Sequence, residues 1–231
     1  MKSLNPKISV IVPLYNQGQY LEECLVSISK SDTPPEYEVV VVDDASTDNS
    51  LDVATKLQKK FGFRLVNNPN NIGLPATRNV GIENSRGEYI LPLDADDKVS
   101  SKALWKMYEC IDDELGDFIY CDAIAFGEEK GTIEYPNFLI DYFKRGNFIP
   151  SFSLFRKSDW EDVGGYDEKM REGYEDWEFY LRLALNGRFG YHISEPLFYY
   201  RQKKKSMIKD ARANHDKLFK YIKEKHGGFY G

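Results

Sequence analysis

Short apolar runs alternate with amphipathic stretches through the first half of the chain. Residues 8–12, 37–42, 63–66, 89–93 and 118–120 are aliphatic or β-branched and too short for helices, so they predict buried strands. Between them, 19–29, 50–61, 74–84 and 101–113 predict helices. Asn49 and Ser50 stand where the second helix needs a cap, and Lys59 and Lys60 suit the negative end of its dipole. Strand alternating with helix predicts a mostly parallel sheet covered on both faces. Ligands of such sheets gather beyond the carboxyl ends of the strands.

After a polar turn at 127–131 the alternation lapses. Residues 152–156, 189–193 and 197–201 predict further strands. Residues 175–186 predict a largely buried helix closed by Asn186-Gly187. Residues 210–225 predict a surface helix with Leu218, Phe219 and Ile222 on one side. The expected whole is one α/β domain over 1–231, with a mixed central sheet flanked by helices. Residues 1–122 form its first half, 123–201 its second, and 202–231 a basic helical tail.

Composition removes several alternatives. The 231 residues carry a net charge of −6, which argues against general nucleic-acid binding. Cys24, Cys110 and Cys121 lack paired metal-ligand spacing and predict reduced thiols in a cytoplasmic setting. The first sixteen residues have no secretory apolar core and cleavage site, and no window of about 18 apolar residues predicts a membrane span. The basic tail leaves two readings open, a solvated helix packed by one apolar face or peripheral contact with an anionic membrane.

The chemistry sits at predicted strand ends. The fourth strand runs into Asp94-Ala95-Asp96-Asp97, where three neighbouring carboxylates disfavour one another's charge unless a positive partner compensates. A hard divalent cation, Mg²⁺ or Mn²⁺, suits such oxygen donors. The second strand ends in Asp43-Asp44, placed to accept from a base N–H or ribose hydroxyl. Helix capping accounts for single members of these clusters but poorly for all of them. Arg78 follows a polar loop at 67–73 and suits a nucleotide's base or phosphates. Glu175 and Asp176 open an apolar helix, where a carboxylate can serve as general base. A phosphoacceptor receiver domain also has a strand ending in VVDD, but after its first strand instead of its second. No glycine-rich phosphate loop is present, which removes support for dinucleotide redox and P-loop chemistry.

The segments ISVIVPLYNQGQYLEECLVSI, VVVVDDASTDNS, NNIGLPATRNVGI, GEYILPLDADD, GGYDE and GYEDWEFYLRL occur in this order. Together, from about Ile8 to Arg201, they resemble the family 2 glycosyltransferases. The resemblance implies the GT-A fold, a Rossmann-like mostly parallel or mixed sheet, and inverting transfer from a nucleotide-sugar donor. It implies that Pro13 and Tyr15 line the base pocket, that Asp44 with Asp43 contacts uracil, and that Arg78 lies near the base. Asp94, with Ala95 beside it, corresponds to the ribose and donor-sugar contact and Asp96 to the metal ligand. Asp176 matches the catalytic base and Glu175 its neighbour. The expected partners are a UDP-sugar and a saccharide or lipid-linked acceptor, in polysaccharide or cell-envelope glycan synthesis. One departure stands out: Lys203 occupies the place where many relatives carry a histidine near the leaving diphosphate. A sugar-nucleotide-binding protein without activity and a nucleotidyltransferase remain as alternatives, the latter lacking its glycine-rich basic loop.

Overall fold

The computed structural model describes residues 6–32, 34–204 and 206–231. Residues 1–5, read above for a secretory leader, and Lys205 of the basic run lie outside the described residues.

In chain order the elements are β1 (Ile8–Leu14), α1 (Gly18–Ser29), β2 (Tyr37–Asp43), α2 (Ser50–Phe61), β3 (Arg64–Asn67), α3 (Leu74–Glu83) and β4 (Tyr89–Pro92). There follow β5 (Lys98–Val99), α4 (Ala103–Asp112), β6 (Phe118–Gly127), β7 (Gly131–Ile133), a 3₁₀ turn (Ile140–Lys144), β8 (Ser153–Arg156) and α5 (Lys157–Val163). The chain closes through α6 (Glu175–Leu185), β9 (Gly190–Gln202), α7 (Met207–Ala213), α8 (His215–Lys225) and α9 (Gly227–Tyr230). The strands form one sheet in the order β3-β2-β1-β4-β8-β6-β9-β5, with β7 hairpinned onto β6. Strands β1 to β4 are mutually parallel, whereas β8 runs antiparallel to both its neighbours. The sheet is therefore mixed, as the broken alternation in the second half predicts.

Alternation along β1 and β2 divides the core between the two faces. Val10, Val12, Val39 and Val41 pack with Leu21, Leu25 and Ala54 of α1 and α2. Ile11, Val40 and Val42 face Ile82 of α3 and the cluster containing Trp177 and Phe179 of α6. Full burial of each such aliphatic side chain is worth roughly 1.5–3 kcal/mol. Helix α3 lies close enough to the sheet that a Cβ on Gly81 would sit 2.4 Å from Ile11 Cγ2. A glycine is required there.

Several expectations need correction. Segments 189–193 and 197–201 are one strand, β9, whose pairing with β6 jumps from Ile193 to Pro196 across a bulge. The helix expected at 210–225 starts earlier, at Met207, and breaks at Asn214 into α7 and α8. Strand β3 lies at the sheet edge and exposes both its ends, so it is not a buried strand. The elements β5, β7, α5 and the 3₁₀ turn were not expected.

Candidate functional site

The carboxyl ends of β1, β2 and β4 open onto one cavity of about 400 Å³. Register places Leu14 beside Asp43, and the Asp44 amide donates to the Leu14 carbonyl at 2.8 Å. Asn16 locks the two strand ends together: its Oδ1 accepts from the Thr47 and Asp48 amides, and its own amide donates to Ser46 Oγ. Asp44 is buried and organises the loop leading into α3. Its Oδ1 accepts from Asn68 Nδ2 and the Ile72 amide, and its Oδ2 from the Gly73 amide, all at 2.9 Å. Pro13 and Tyr15 line the same wall, with Tyr15 44% exposed. Asp43 does not line the cavity. Its Oδ2 accepts from the Ser46 amide, while Oδ1 is buried without a partner.

The carboxylates of the β4 turn have three separate positive or donor partners. Asp94 accepts from Arg78 Nη2 at 2.9 Å. Asp96 Oδ2 meets Lys203 Nζ at 2.5 Å. Asp97 accepts from the Arg201 amide at 2.7 Å, while the Arg201 guanidinium donates to the Asp96 carbonyl and packs over Tyr20 and Phe126. Burial, then the Asp94 charge, pushes Asp96 above the usual carboxylate range against the pull of Lys203. Asp97 is raised further by burial and by Asp96 and Asp94.

Arg78 is fully enclosed yet lines the cavity. It spans the floor, donating to Asp94 on one side and to Glu175 Oε1 at 2.5 Å on the other. Burial works against its charge, but Asp94 and Glu175 outweigh burial and hold its pKa above the normal value. Beside Glu175, Asp176 is half-buried, accepting from the Trp177 amide at 2.8 Å and from Asn147 Nδ2 at 3.0 Å. Asn147 Oδ1 accepts from the Ile149 amide, which fixes the orientation of its NH₂ toward Asp176. Burial, then the neighbouring Glu175 charge, pushes Asp176 up to about 7, opposed by Arg78.

The cavity thus brings together Pro13, Tyr15, Asp44, Arg78, Asp94, Ala95, Asp96, Glu175, Asp176 and Lys203. Asn16, Asn147, Arg171 and Arg201 also build or border it and were not singled out from sequence. Among the described residues, four non-glycine residues have positive φ; Glu114 lies in the turn after α4, and the other three are Asn16, Ala45 and Tyr174 (53°, 56° and 63°). Each of these three adjoins a cavity residue, and such backbone strain clusters at functional sites. Among the described residues no three acidic, histidine or cysteine side chains converge on one point. Asp96 nevertheless fits a cation whose other ligands are diphosphate oxygens and water, the usual arrangement for Mg²⁺. A desolvated carboxylate already facing an ammonium marks that spot as one that favours positive charge.

A mixed sheet whose parallel strands β1, β2 and β4 end at an acidic cavity is the architecture of the GT-A glycosyltransferases. The chain belongs to glycosyl transferase family 2, whose family model matches residues 9–164; a second model, glycosyltransferase like family 2, matches 130–224. It is 32% identical over 193 residues to the uncharacterized glycosyltransferase YwdF of Bacillus subtilis (strain 168), covering 79% of this chain and 69% of YwdF. It is 30% identical over 210 residues to the poly(ribitol-phosphate) β-N-acetylglucosaminyltransferase TarS of Staphylococcus aureus, covering 86% of this chain but 36% of TarS. The structure of TarS residues 1–349 in complex with UDP-GlcNAc superposes with a TM-score of 0.78 at 25% identity, covering 94% of this chain and 65% of that one. The mannosyltransferase PcManGT from Pyrobaculum calidifontis, solved with GDP-Man and Mn²⁺, shares the fold at a TM-score of 0.70 and 21% identity, covering 89% of this chain and 59% of that one. Among the described residues no helix is long and apolar enough to cross a membrane.

Proposed function

We propose that the protein transfers a sugar from a UDP-sugar to an acceptor hydroxyl of a saccharide or lipid-linked glycan, with inversion at the anomeric carbon. The observation that carries this reading is the placement of Asp176, raised to about 7, across one cavity from the Tyr15–Asp44 wall, with Asp94 and Asp96 lining the same space. The likeness to TarS supports the uridine donor, as TarS has been solved with both UDP and UDP-GlcNAc.

In this reading Tyr15 and Pro13 hold the base, Asp44 accepts from it with its remaining lone pair, and Asp94 contacts the ribose and donor sugar. Asp96 and the donor's diphosphate would hold Mg²⁺ or Mn²⁺, which supplies Lewis-acid neutralisation of the leaving group when bound. Asp176 accepts the acceptor's hydroxyl proton as the oxygen bonds to the anomeric carbon. The bond from that carbon to the phosphate oxygen breaks, and its electron pair leaves with UDP. A base with a pKa near the working pH balances its ionised fraction against its strength. Glu175 and Arg78 set that balance from opposite sides. One displacement needs no covalent sugar–enzyme intermediate, hence no second nucleophilic carboxylate.

Calorimetric titration of UDP with Mn²⁺, then with chelator, tests the donor site. Binding is expected with metal and weakened by Asp96→Ala; absence of binding in both conditions removes the uridine donor. Asp176→Asn is expected to retain UDP affinity and lose transfer by about 10³-fold or more, on the scale of catalytic bases. Undiminished turnover in that variant overturns the base assignment.

A further inference from the structure

Each carboxylate of the 94–97 turn has a partner before any ligand arrives. Asp94 is taken by Arg78 and Asp97 by the Arg201 amide. Asp96 is taken by a flexible ammonium, Lys203 Nζ at 2.5 Å. That ammonium also reaches Gln17 Oε1 at 3.3 Å and lies 5.8 Å from the Tyr20 ring. The Lys203 carbonyl in turn accepts from Lys209 Nζ at 2.8 Å. Lys203 therefore straps the end of β9 to the start of α1 over the acidic turn.

An ammonium and a divalent ion cannot both contact this carboxylate without strong mutual repulsion, since the groups would lie within a few ångströms in a partly desolvated site. We infer that Lys203 is a resident counter-ion for Asp96 that makes divalent-cation binding conditional on the nucleotide's diphosphate. The inference rests on the reading of Asp96 as the cation ligand. Without nucleotide, an incoming cation has to displace Lys203 from its one carboxylate, and among the described residues it finds no cluster of protein ligands to complete its shell. A diphosphate changes both sides of this competition. It offers the cation further oxygens, and it offers Lys203 a second anion, so the ammonium leaves Asp96 without becoming unpaired. Lysine suits this exchange because it binds as a mobile point charge on a long stem, unlike the fixed fork of arginine.

The coupling has an unusual sign pattern. Removing the lysine charge should strengthen cation binding to the nucleotide-free protein and weaken binding of the nucleotide. A residue that merely supports the fold would weaken both. Because coupling between two ligands is reciprocal, the Mn²⁺ enhancement of UDP affinity should shrink by the factor by which UDP enhances Mn²⁺ affinity shrinks.

The test is titration of Mn²⁺, followed by the paramagnetic resonance signal of the free ion, into the full chain with and without saturating UDP. Wild type, Lys203→Gln, Lys203→Arg and Asp96→Ala are compared, with UDP affinity measured separately by calorimetry. We expect weak Mn²⁺ binding to nucleotide-free wild type and much tighter binding with UDP. Lys203→Gln should bind Mn²⁺ without nucleotide roughly two- to fivefold more tightly, the range of a partly exposed ion pair, and bind UDP more weakly. Lys203→Arg keeps the charge but not the mobility, so it should bind Mn²⁺ without nucleotide as weakly as wild type and show a smaller UDP-dependent gain, and Asp96→Ala should lose the UDP-dependent gain. If wild type shows UDP-dependent Mn²⁺ binding but Lys203→Gln leaves nucleotide-free affinity unchanged, the counter-ion role is wrong. If wild type binds no Mn²⁺ even with UDP, the cation reading of Asp96 fails and takes the inference with it.

Discussion

Burial, then the Glu175 charge and more weakly that of Asp94, raise the pKa of Asp176, while other neighbours favour its ionised form. Glu175 is the like charge beside it, Arg78 the opposing cation, and Asn147 and the Trp177 amide donate to the carboxylate. A base is active when deprotonated, so activity should rise with pH through about 7. Glu175→Gln removes the repelling charge and should move this acid limb down, by roughly one pH unit. Asn147→Ala removes a donor to the ionised form and should move it up, with donor affinity unchanged. Rate profiles of kcat between pH 5 and 9 check both signs; two shifts in one direction would refute this account. The same raised pKa has a stability cost. Above the ordinary carboxylate value of about 3.9, the folded state increasingly resists ionising Asp176, and the penalty is complete once pH exceeds about 7. Thermal melts should therefore find Asp176→Asn more stable than wild type at pH 8, and the gap should close toward pH 4.

At the scale of elements, α6 is held from behind by the C-terminal helices. Glu178, fully buried on α6, accepts from Arg182 one turn away and from Lys225 and His226 at the end of α8. Burial works against this carboxylate, but His226, Arg182 and Lys225 outweigh it and hold Glu178 down at about 2. Its contribution is present above the ordinary glutamate range near 4.3 and is lost as pH falls toward about 2. Glu178→Gln should cost roughly 2–4 kcal/mol at pH 7, below the fully buried range because Lys225 and Arg182 reach solvent. Urea unfolding at pH 7 and at pH 3 measures this, and the difference from wild type should shrink at the lower pH. The tail was legible as a helix with Leu218, Phe219 and Ile222 on one side, and in α8 Leu218 and Ile222 are buried and Phe219 partly so. Its attachment to Glu178 was not legible, because partners 47 and 48 residues apart share no periodicity.

Across the whole molecule, strands and helices of the first half were readable because β1, β2 and β4 are mostly apolar runs set apart by amphipathic helices. The acidic strand ends were readable for the same reason, since a charge cluster stands out against a buried run. The division of labour within the cluster was not. Asp97 serves the backbone of Arg201 and Asp94 the guanidinium of Arg78, and both links depend on how distant segments meet. Two-residue β5 exists only through its pairing with β9, and nothing in Lys98-Val99 announces it. Asn16 and Asn147 lie in irregular loops where an asparagine carries no pattern, so their fixing of Ser46–Asp48 and of Asp176 required the structure.

The tryptophans give this arrangement an optical readout. Trp177 is 1% exposed, stacks on Phe219 with ring centroids 5.1 Å apart, and donates its backbone amide to Asp176. Trp105 is 40% exposed and Trp160 9%, so a soluble quencher should silence Trp105 first. The emission that survives should carry a component near pH 7 that is present in the resting protein and missing in Asp176→Asn, and that difference separates the carboxylate from His215, whose ring stacks on Trp177 with centroids 6.4 Å apart. The ionisation of a single carboxylate would then be visible as light, with no sugar, nucleotide or acceptor in the cuvette.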